Sequence, residues 1–262
     1  MSPVRERSGA SAGQGAGPSI GLYLTEPVRG LAGFAAMSAA APWLAKAPRG
    51  DGHGVLVLPG LLASDASTHV LRGFLRRLGY QATGWNLGRN HGPTEQVLTG
   101  LPRALSAVAE RTGRPVSVVG WSLGGIYARE LGRRHPGQVR QVITLGSPFA
   151  LTDPRQSHAS HAYRRRSHLH TPGRAPTREQ IAEPIGVPST AVYSRRDGIV
   201  AWQACVEPET VLHENVEVRC AHLGFGTDPA TLWLIADRLA APPGAMPRFS
   251  PPLALRSLYP DR

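Results

Sequence analysis

The stretch Val116-Ser117-Val118-Val119-Gly120-Trp121-Ser122-Leu123-Gly124-Gly125 joins an apolar, strand-like run to a segment with helical character. A serine on such a sharp strand-to-helix turn takes a strained backbone conformation, and it needs very small neighbours because the helix must approach the strand. Gly120 and Gly124 are those neighbours. The turn lifts the Ser122 hydroxyl above the sheet, where the helix N-terminus stabilises negative charge. The stretch therefore predicts a nucleophile elbow at Ser122.

On both sides of this turn, strand-like runs alternate with helical patterns. The predicted strands are Val55–Leu58, Gln81–Trp85, Val116–Val119, Val142–Leu145, Thr190–Tyr193 and Val216–Cys220. The predicted helices follow a Ser67 cap, run from Thr94 to Gly113, run from the elbow to His135, and begin at Asp228-Pro229. This alternation predicts an α/β fold with a mostly parallel sheet of about six or more strands and helices on both faces. Ligands bind such sheets at the carboxyl ends of the strands.

The length and composition fit one folded domain. The chain has 262 residues, 41% of them apolar, which is enough for a single large core over residues 20–262. Residues 1–19 are rich in Ser, Gly and Ala and predict a disordered tail. Residues 20–48 predict a helical segment packed on the domain through a face formed by Val28, Leu31, Ala35 and Leu44.

The strong positive charge is a weak guide to function. The formal net charge is +11, but Lys46 is the only lysine, and the many arginines accompany abundant Ala, Gly and Pro, as GC-rich coding produces. Net charge informs on solubility and association, not on fold. The basic segments lack the interleaved aromatic residues of a nucleic-acid stacking surface. We therefore expect no nucleic-acid partner and at most weak contact with anionic surfaces.

Metal, disulfide and membrane classes are also disfavoured. Cys205 and Cys220 do not form a disulfide framework or a zinc spacing, so we expect two buried free thiols, with a single bridge as the alternative. The histidines of residues 149–186 lack the carboxylates or cysteines that would complete a metal site. The longest apolar stretch, Gly30–Ala45, is shorter than the ~20 residues that cross a bilayer, so we expect no transmembrane segment and a cytoplasmic location.

A serine nucleophile needs a histidine base and a carboxylate that orients it. His222 follows the last predicted strand, and Asp197 follows the strand before it. The chain order Ser122, Asp197, His222 is the order expected of a nucleophile-elbow enzyme. Asp153, in the loop after the strand that ends near Leu145, is the alternative acid.

The reaction also needs two backbone N–H donors for the oxyanion. One is the amide of Leu123, the residue after the nucleophile, and the other is the amide of Leu61 in the turn Pro59-Gly60-Leu61. The long 149–186 segment predicts either a lid or cap insertion over the site or a solvated, partly disordered loop. Apolar residues that could line a substrate pocket are Trp121, Leu61, Leu62 and Phe149.

With these residues in place, the chain resembles α/β-hydrolases of the lipase and esterase type. The resemblance extends over roughly Leu22 to Leu239 and rests on five stretches: Gly54–Leu61, Gly88–Thr94, Gly120–Gly125, Thr144–Pro148 and Tyr193–Val200. It implies an α/β-hydrolase fold and a serine hydrolase that cleaves carboxylic esters, from small molecules or lipids, through an acyl-enzyme and without a cofactor. Where such enzymes often carry a histidine before the serine, this chain has Trp121.

Two other functions remain open at this point. One is thioester cleavage or acyl transfer, in which a basic lid meets an acidic carrier protein or a phosphorylated cofactor such as acyl-CoA. The other is a non-catalytic binding protein that kept the fold, which the intact serine, acid and histidine disfavour.

Overall fold

A six-stranded parallel sheet forms the centre of the molecule. The computed structural model describes residues 16–260. The strands are β1 (Gly54–Leu58), β2 (Gln81–Gly84), β3 (Val116–Trp121), β4 (Val139–Leu145), β5 (Ser189–Ser194) and β6 (His213–Val218), in the order β2-β1-β3-β4-β5-β6. Every neighbouring pair is parallel. The predicted α/β class and strand number are confirmed, and the carboxyl ends of all six strands lie along one edge.

Helices cover both faces of this sheet. They are α1 (Ile20–Ala39), α2 (Ala41–Leu44), α3 (His69–Arg77), α4 (Glu95–Thr112), α5 (Leu123–Arg134), α6 (Ser160–Arg164), α7 (Arg178–Ala182) and α8 (Pro229–Ala240). One apolar core joins the sheet to α3 and α8, and a second joins the opposite face to α4 and α5. The sheet is therefore buried on both sides, which explains why β1 reads as an unbroken apolar run.

Three predicted capping residues, Thr94, Gly113 and Asp228, lie at helix ends as expected. The Thr94 hydroxyl accepts from the Val97 N–H at 3.3 Å, and Gly113 ends α4 in the left-handed conformation. Asp228 caps α8 by accepting from the Thr231 N–H at 2.8 Å. The Ser67 cap is wrong, because Ser67 lies inside a short 3₁₀ turn of residues 65–68 and α3 begins after it.

The predicted packing face of residues 20–48 is wrong at Val28, Leu31 and Ala35, which are exposed, whereas Leu44, in α2, is buried in the core as predicted. Val28 and Leu31 are 71% and 74% exposed, and the only buried residue of α1 is Glu26. The helix instead lies against the turn of residues 222–224, with Gly30 facing Leu223. A small residue permits this close approach, which an apolar-periodicity argument does not detect. Residues 1–15 of the predicted tail lie outside the described residues.

The remaining connection, residues 149–186, contains α6, α7 and 3₁₀ turns at 154–156 and 167–169. Cys205 and Cys220 are buried free thiols. Among the helices of residues 16–260, none has the length and hydropathy needed to traverse a bilayer.

Candidate active site

Ser122 forms the turn between β3 and α5 in a strained conformation. Its φ of 53° and ψ of −121° lie outside the regions that L-residues prefer. A β-carbon on Gly120 would collide with the backbone of α5, and one on Gly124 would collide with the Leu58 carbonyl. Glycine at both positions therefore lets the helix start directly against β1 and β3.

Backbone hydrogen bonds hold this turn in place. The Ser122 N–H donates to the Leu145 carbonyl at 2.8 Å, and the Ser122 carbonyl accepts from the Gly125 N–H at 2.9 Å. The Ser147 hydroxyl also donates to the Ser122 carbonyl. Contacts with the end of β4 thus fix the strained residue, which tertiary structure must do for strain to persist.

Asp197 and His222 meet beside this turn. The Asp197 Oδ2 atom lies 2.6 Å from His222 Nδ1, and both side chains are buried. The other oxygen of Asp197 accepts from the N–H groups of Ile199 and Val200 at 2.8 and 2.7 Å. These two bonds orient the carboxylate, so that its free edge faces the imidazole.

The alternative acid, Asp153, lies elsewhere. Its carboxylate is bound by Arg155 at 2.7 Å and caps the 3₁₀ turn of residues 154–156. This ion pair and the hydrogen bond from the Arg155 N–H lower the pKa of Asp153 to about 2. Asp153 is thus engaged in local structure, whereas Asp197 is in contact with the histidine.

The pKa of His222 reflects its carboxylate neighbours. Burial by itself lowers this pKa, but the charge of Asp197, the hydrogen bond to Asp197 and the charge of Glu26 together raise it above the ordinary histidine value. A buried imidazole that gains protons more readily is suited to accept one from a neighbouring hydroxyl.

Trp121 links the serine turn to the histidine loop. Its indole Nε1–H donates to the His222 carbonyl at 3.1 Å. Within the described residues, the Ser122 hydroxyl forms no hydrogen bond with the His222 ring, and such contacts commonly tighten only in a substrate complex. The residue that precedes the serine therefore contacts the backbone of the loop that carries His222.

The two predicted amide donors flank Ser122. Leu123 is the first residue of α5, where an N–H has no intrahelical acceptor. Leu61 lies in the turn after β1, and Gly60 in that turn faces the Ser122 side chain. Asn90 fixes this turn, because its Nδ2 donates to the Pro59 carbonyl at 2.9 Å and its own carbonyl accepts from the Leu62 N–H at 2.7 Å. The buried Asn90 thus gives the Gly88–Thr94 stretch a structural role, which its sequence pattern does not reveal.

A largely apolar cavity of about 360 Å³ opens beside Ser122. Leu61 and Phe149 line it as predicted, but Trp121 and Leu62 do not. Trp121 is turned towards His222, and Leu62 adopts a left-handed conformation with φ of 63°. The 149–186 segment contributes one wall, and the cavity also reaches four arginines: Arg134, Arg164, Arg174 and Arg178.

A second Ser–His–Asp cluster lies at the opposite edge of the sheet. His53 Nε2 is 2.8 Å from Ser117 Oγ, and His53 Nδ1 is 2.5 Å from Asp51 Oδ1. Arg140 donates to Asp51 Oδ2 at 2.8 Å. These residues precede or begin β1, β3 and β4, so they tie the amino ends of these strands together. Across residues 16–260, no group of three or more His, Cys, Asp or Glu side chains is arranged to hold a metal ion.

Sequence comparison gives short matches. The chain is 40% identical over 52 residues to a pimeloyl-[acyl-carrier protein] methyl ester esterase of Neisseria meningitidis serogroup C, and 45% identical over 47 residues to one of Aromatoleum aromaticum. Each match spans about a fifth of this chain, 20% and 18%, and a similar share of the relative, 20% and 19%. No protein-family profile matches the chain.

Structural comparison is broader in coverage. A structure of the metagenome-derived lipolytic enzymes LipS and LipT superposes with a TM-score of 0.51 and 16% identity, over 73% of this chain and 93% of the other. A pyrethroid hydrolase from Sphingobium faniae JZ-2 gives a TM-score of 0.51 and 16% identity, over 73% and 99%. A monoacylglycerol lipase of Paleococcus ferrophilus gives 0.50 and 16%, over 74% and 96%. With its six parallel strands and its serine turn after β3, the chain has the α/β-hydrolase fold.

Proposed function

We propose that the protein is a serine hydrolase that cleaves carboxylic esters, with Ser122 as nucleophile, His222 as general base and Asp197 as the acid that orients it. The observation that carries this proposal is the buried Asp197–His222 pair beside a strained serine at the wall of an apolar cavity. Similarity to esterases and lipases supports the same reaction class.

The proposed reaction begins when the Ser122 hydroxyl attacks the ester carbonyl and His222 Nε2 accepts its proton. With Asp197 accepting from Nδ1–H, the neutral ring has its lone pair on Nε2, which is the tautomer that a base requires. The tetrahedral oxyanion receives hydrogen bonds from the Leu61 and Leu123 amides. The intermediate then expels the alcohol, which takes the proton from His222, and leaves an acyl-enzyme on Ser122.

Water completes the proposed cycle. His222 removes a proton from water as it attacks the acyl carbonyl, and returns that proton to Ser122 when the acid leaves. Asp197 stays ionised throughout and stabilises the imidazolium form. All these steps use groups of the chain itself, so the proposal needs no cofactor.

The cavity favours an ester with an apolar acyl or alcohol group. Its walls near Ser122 are largely aliphatic and aromatic, and we propose that the 149–186 segment acts as a lid over the bound ester. Arg164 and Arg178 along the same cavity also favour a second candidate, a thioester or acyl group carried on a phosphorylated cofactor or carrier. The other two arginines of the cavity, Arg134 and Arg174, are paired with Glu130 and Glu95. The matched relatives are named as acting on an ester of an acyl-carrier protein.

A fluorophosphonate probe tests the hydrolase proposal directly. We expect the folded protein to be labelled, with the adduct mapped by mass spectrometry to the peptide that contains Ser122. Absence of labelling in folded protein would reject both enzyme functions and leave a non-catalytic binding protein.

Turnover of matched substrates separates the two enzyme functions. We expect p-nitrophenyl esters to be cleaved with a higher kcat/KM than acyl-CoA of the same chain length. A clear preference for the thioester, together with a higher KM for acyl-CoA in Arg164→Ala, would favour the second candidate instead.

A further inference from the structure

Glu26 is a buried carboxylate in contact with the backbone of both members of the acid–base pair. Its Oε1 atom accepts from the Gly198 N–H at 2.6 Å and from the His222 N–H at 3.0 Å. Its Oε2 atom accepts from the Leu223 N–H at 3.0 Å. Gly198 directly follows Asp197, so one side chain from α1 joins the two loops that carry the acid and the base.

The surroundings of Glu26 make this contact specific. Only 2% of the residue is exposed, and a buried carboxylate is tolerated where hydrogen bonds and an opposite charge satisfy it. Three N–H groups and the Arg29 guanidinium, 3.1 Å from Oε1, meet that need. Arg29 also donates to the Arg196 carbonyl at 2.6 Å, which adds a second tie between α1 and the Asp197 loop.

A glycine in the Asp197 loop and a glycine in α1 allow the helix to approach the two loops closely. A β-carbon on Gly198 would collide with the Leu22 carbonyl of α1, and one on Gly30 would press on Leu223. Because both positions are glycine, α1 lies close enough for the Glu26 side chain to reach the loops. The helix that the sequence predicts to pack through an apolar face therefore also contacts both loops through a buried carboxylate.

We propose that Glu26 is a positioning residue that holds Asp197 and His222 in register with each other and with Ser122. The inference rests on the proposed function for its kinetic consequences, but the geometry it describes exists independently of any substrate. The charged groups around His222 in this arrangement are Asp197, Glu26 and, behind Glu26, Arg29. Glu26 therefore also adds negative charge beside the imidazole, which favours its protonated form.

Two variants separate position from charge. Glu26→Gln keeps one acceptor oxygen and loses the charge, whereas Glu26→Ala loses both. We expect kcat on a p-nitrophenyl ester to fall about 10-fold in the Gln variant and about 100-fold in the Ala variant, with KM little changed, since small displacements of catalytic groups cost about that much. In both variants the acid limb of kcat/KM should move to lower pH, because His222 loses a neighbouring negative charge.

Glu214→Gln is the matched control. Glu214 is as buried as Glu26, accepts from the Phe249 N–H at 3.0 Å and pairs with Arg238 at 3.1 Å, but it lies at the amino end of β6, away from His222. We expect it to lower the melting temperature without moving the acid limb or kcat. If Glu214→Gln reproduces the kinetic changes of Glu26→Gln, Glu26 is merely structural and the proposal is overturned.

Proton NMR tests the positioning role of Glu26 independently of turnover. The Nδ1 proton between Asp197 and His222 should give a low-field proton NMR signal, and both this signal and the His222 titration should shift in Glu26→Gln. Unchanged signals would overturn the role of Glu26 whatever the activity. If the wild type shows neither probe labelling nor ester turnover but the NMR shifts are present, the hydrolase function is rejected. The positioning role of Glu26 is then still supported.

Discussion

Two Ser–His–Asp clusters lie at opposite edges of the same sheet. At the carboxyl edge, His222 Nδ1 is 2.6 Å from Asp197 and the strained Ser122 stands beside them. At the amino edge, His53 Nε2 is 2.8 Å from Ser117. By residue type and hydrogen bonding alone, the second cluster is the more complete of the two.

The two serines differ in backbone conformation, in access to a cavity and in the pKa of the neighbouring histidine. Ser117 lies within β3 and is 0% exposed, whereas Ser122 has a strained backbone and lines a cavity. Burial and the Arg140 charge lower the pKa of His53, although Asp51 opposes them, while the carboxylates around His222 raise its pKa. A serine, a histidine and an aspartate in contact are therefore not enough to assign a nucleophile, and backbone strain and access to a cavity are what distinguish Ser122 from Ser117.

Exchanging the two serines for alanine is the strongest test of this comparison. We expect Ser122→Ala to lower kcat on a p-nitrophenyl ester by about 10⁶-fold and to abolish fluorophosphonate labelling, because loss of the nucleophile leaves only residual stabilisation. Ser117→Ala should keep kcat within about 3-fold and remain labelled. Loss of labelling in folded Ser117→Ala alone would reverse the two assignments.

We expect the same contrast for the aspartates of the two clusters, with a smaller loss of kcat than for the serines. Asp197→Asn should lower kcat by about 10⁴-fold, since an amide no longer holds the histidine in its basic tautomer. Asp51→Asn and Asp153→Asn keep the Asp197–His222 contact and should stay within about 3-fold. A large loss of kcat in folded Asp153→Asn, with Asp197→Asn active, would move the acid to the loop after β4.

The positions of Ser122, Asp197 and His222 at the carboxyl ends of the strands could be predicted because short stretches of sequence mark each of them. Gly120 and Gly124 flank Ser122 in sequence, and each remaining candidate directly follows a recognisable strand. Parallel strands then bring these positions to one edge without further information. The amino-edge cluster escaped notice because Ser117 reads as an ordinary strand residue, and its partners lie before β1, more than sixty positions away.

The role of α1 could not be read from the sequence for a related reason. Its Val28 and Leu31 resemble a packing face in the sequence but are exposed. The contacts of the helix with the rest of the protein are instead made by residues such as Glu26, Gly30 and Met37. The hydrogen bonds to the Glu26 carboxylate come from N–H groups that are 172 and 196 residues away in sequence. No local sequence pattern encodes such contacts. Long-range polar contacts of this kind depend on the assembled fold.

The two histidines should titrate in opposite directions from the ordinary value of about 6.5. His222, with its raised pKa, must lose its proton to act as base, so the acid limb of kcat/KM should lie above that value. His53 should remain neutral below it. Proton NMR titration measures both pKa values, with the signals assigned by His222→Asn and His53→Asn. The same pKa for the two rings would contradict the expected electrostatic difference between the two clusters.

These pKa shifts make the stability of the fold depend on pH, and the two histidines act in opposite directions. Because the folded state holds the His222 proton more tightly than the unfolded chain, His222 stabilises the fold below about pH 6.5 and loses this effect as pH rises through its raised pKa. His53 acts in the opposite sense. The unfolded chain binds its proton first on acidification, so this group lowers stability as pH falls below about 6.5.

The smallest expected effect is on stability, and here the order of the two serines reverses. Ser117→Ala leaves the buried His53 Nε2 atom without the hydroxyl partner, which costs about 1–3 kcal/mol. The Ser122 hydroxyl forms no hydrogen bond among the described residues, so Ser122→Ala should change the free energy of unfolding by no more than about 0.5 kcal/mol. Urea unfolding of both variants measures this difference. Equal losses of unfolding free energy in the two variants would mean that Ser122 also stabilises the fold. A larger loss in Ser117→Ala would show that Ser117 has a structural role that Ser122 lacks.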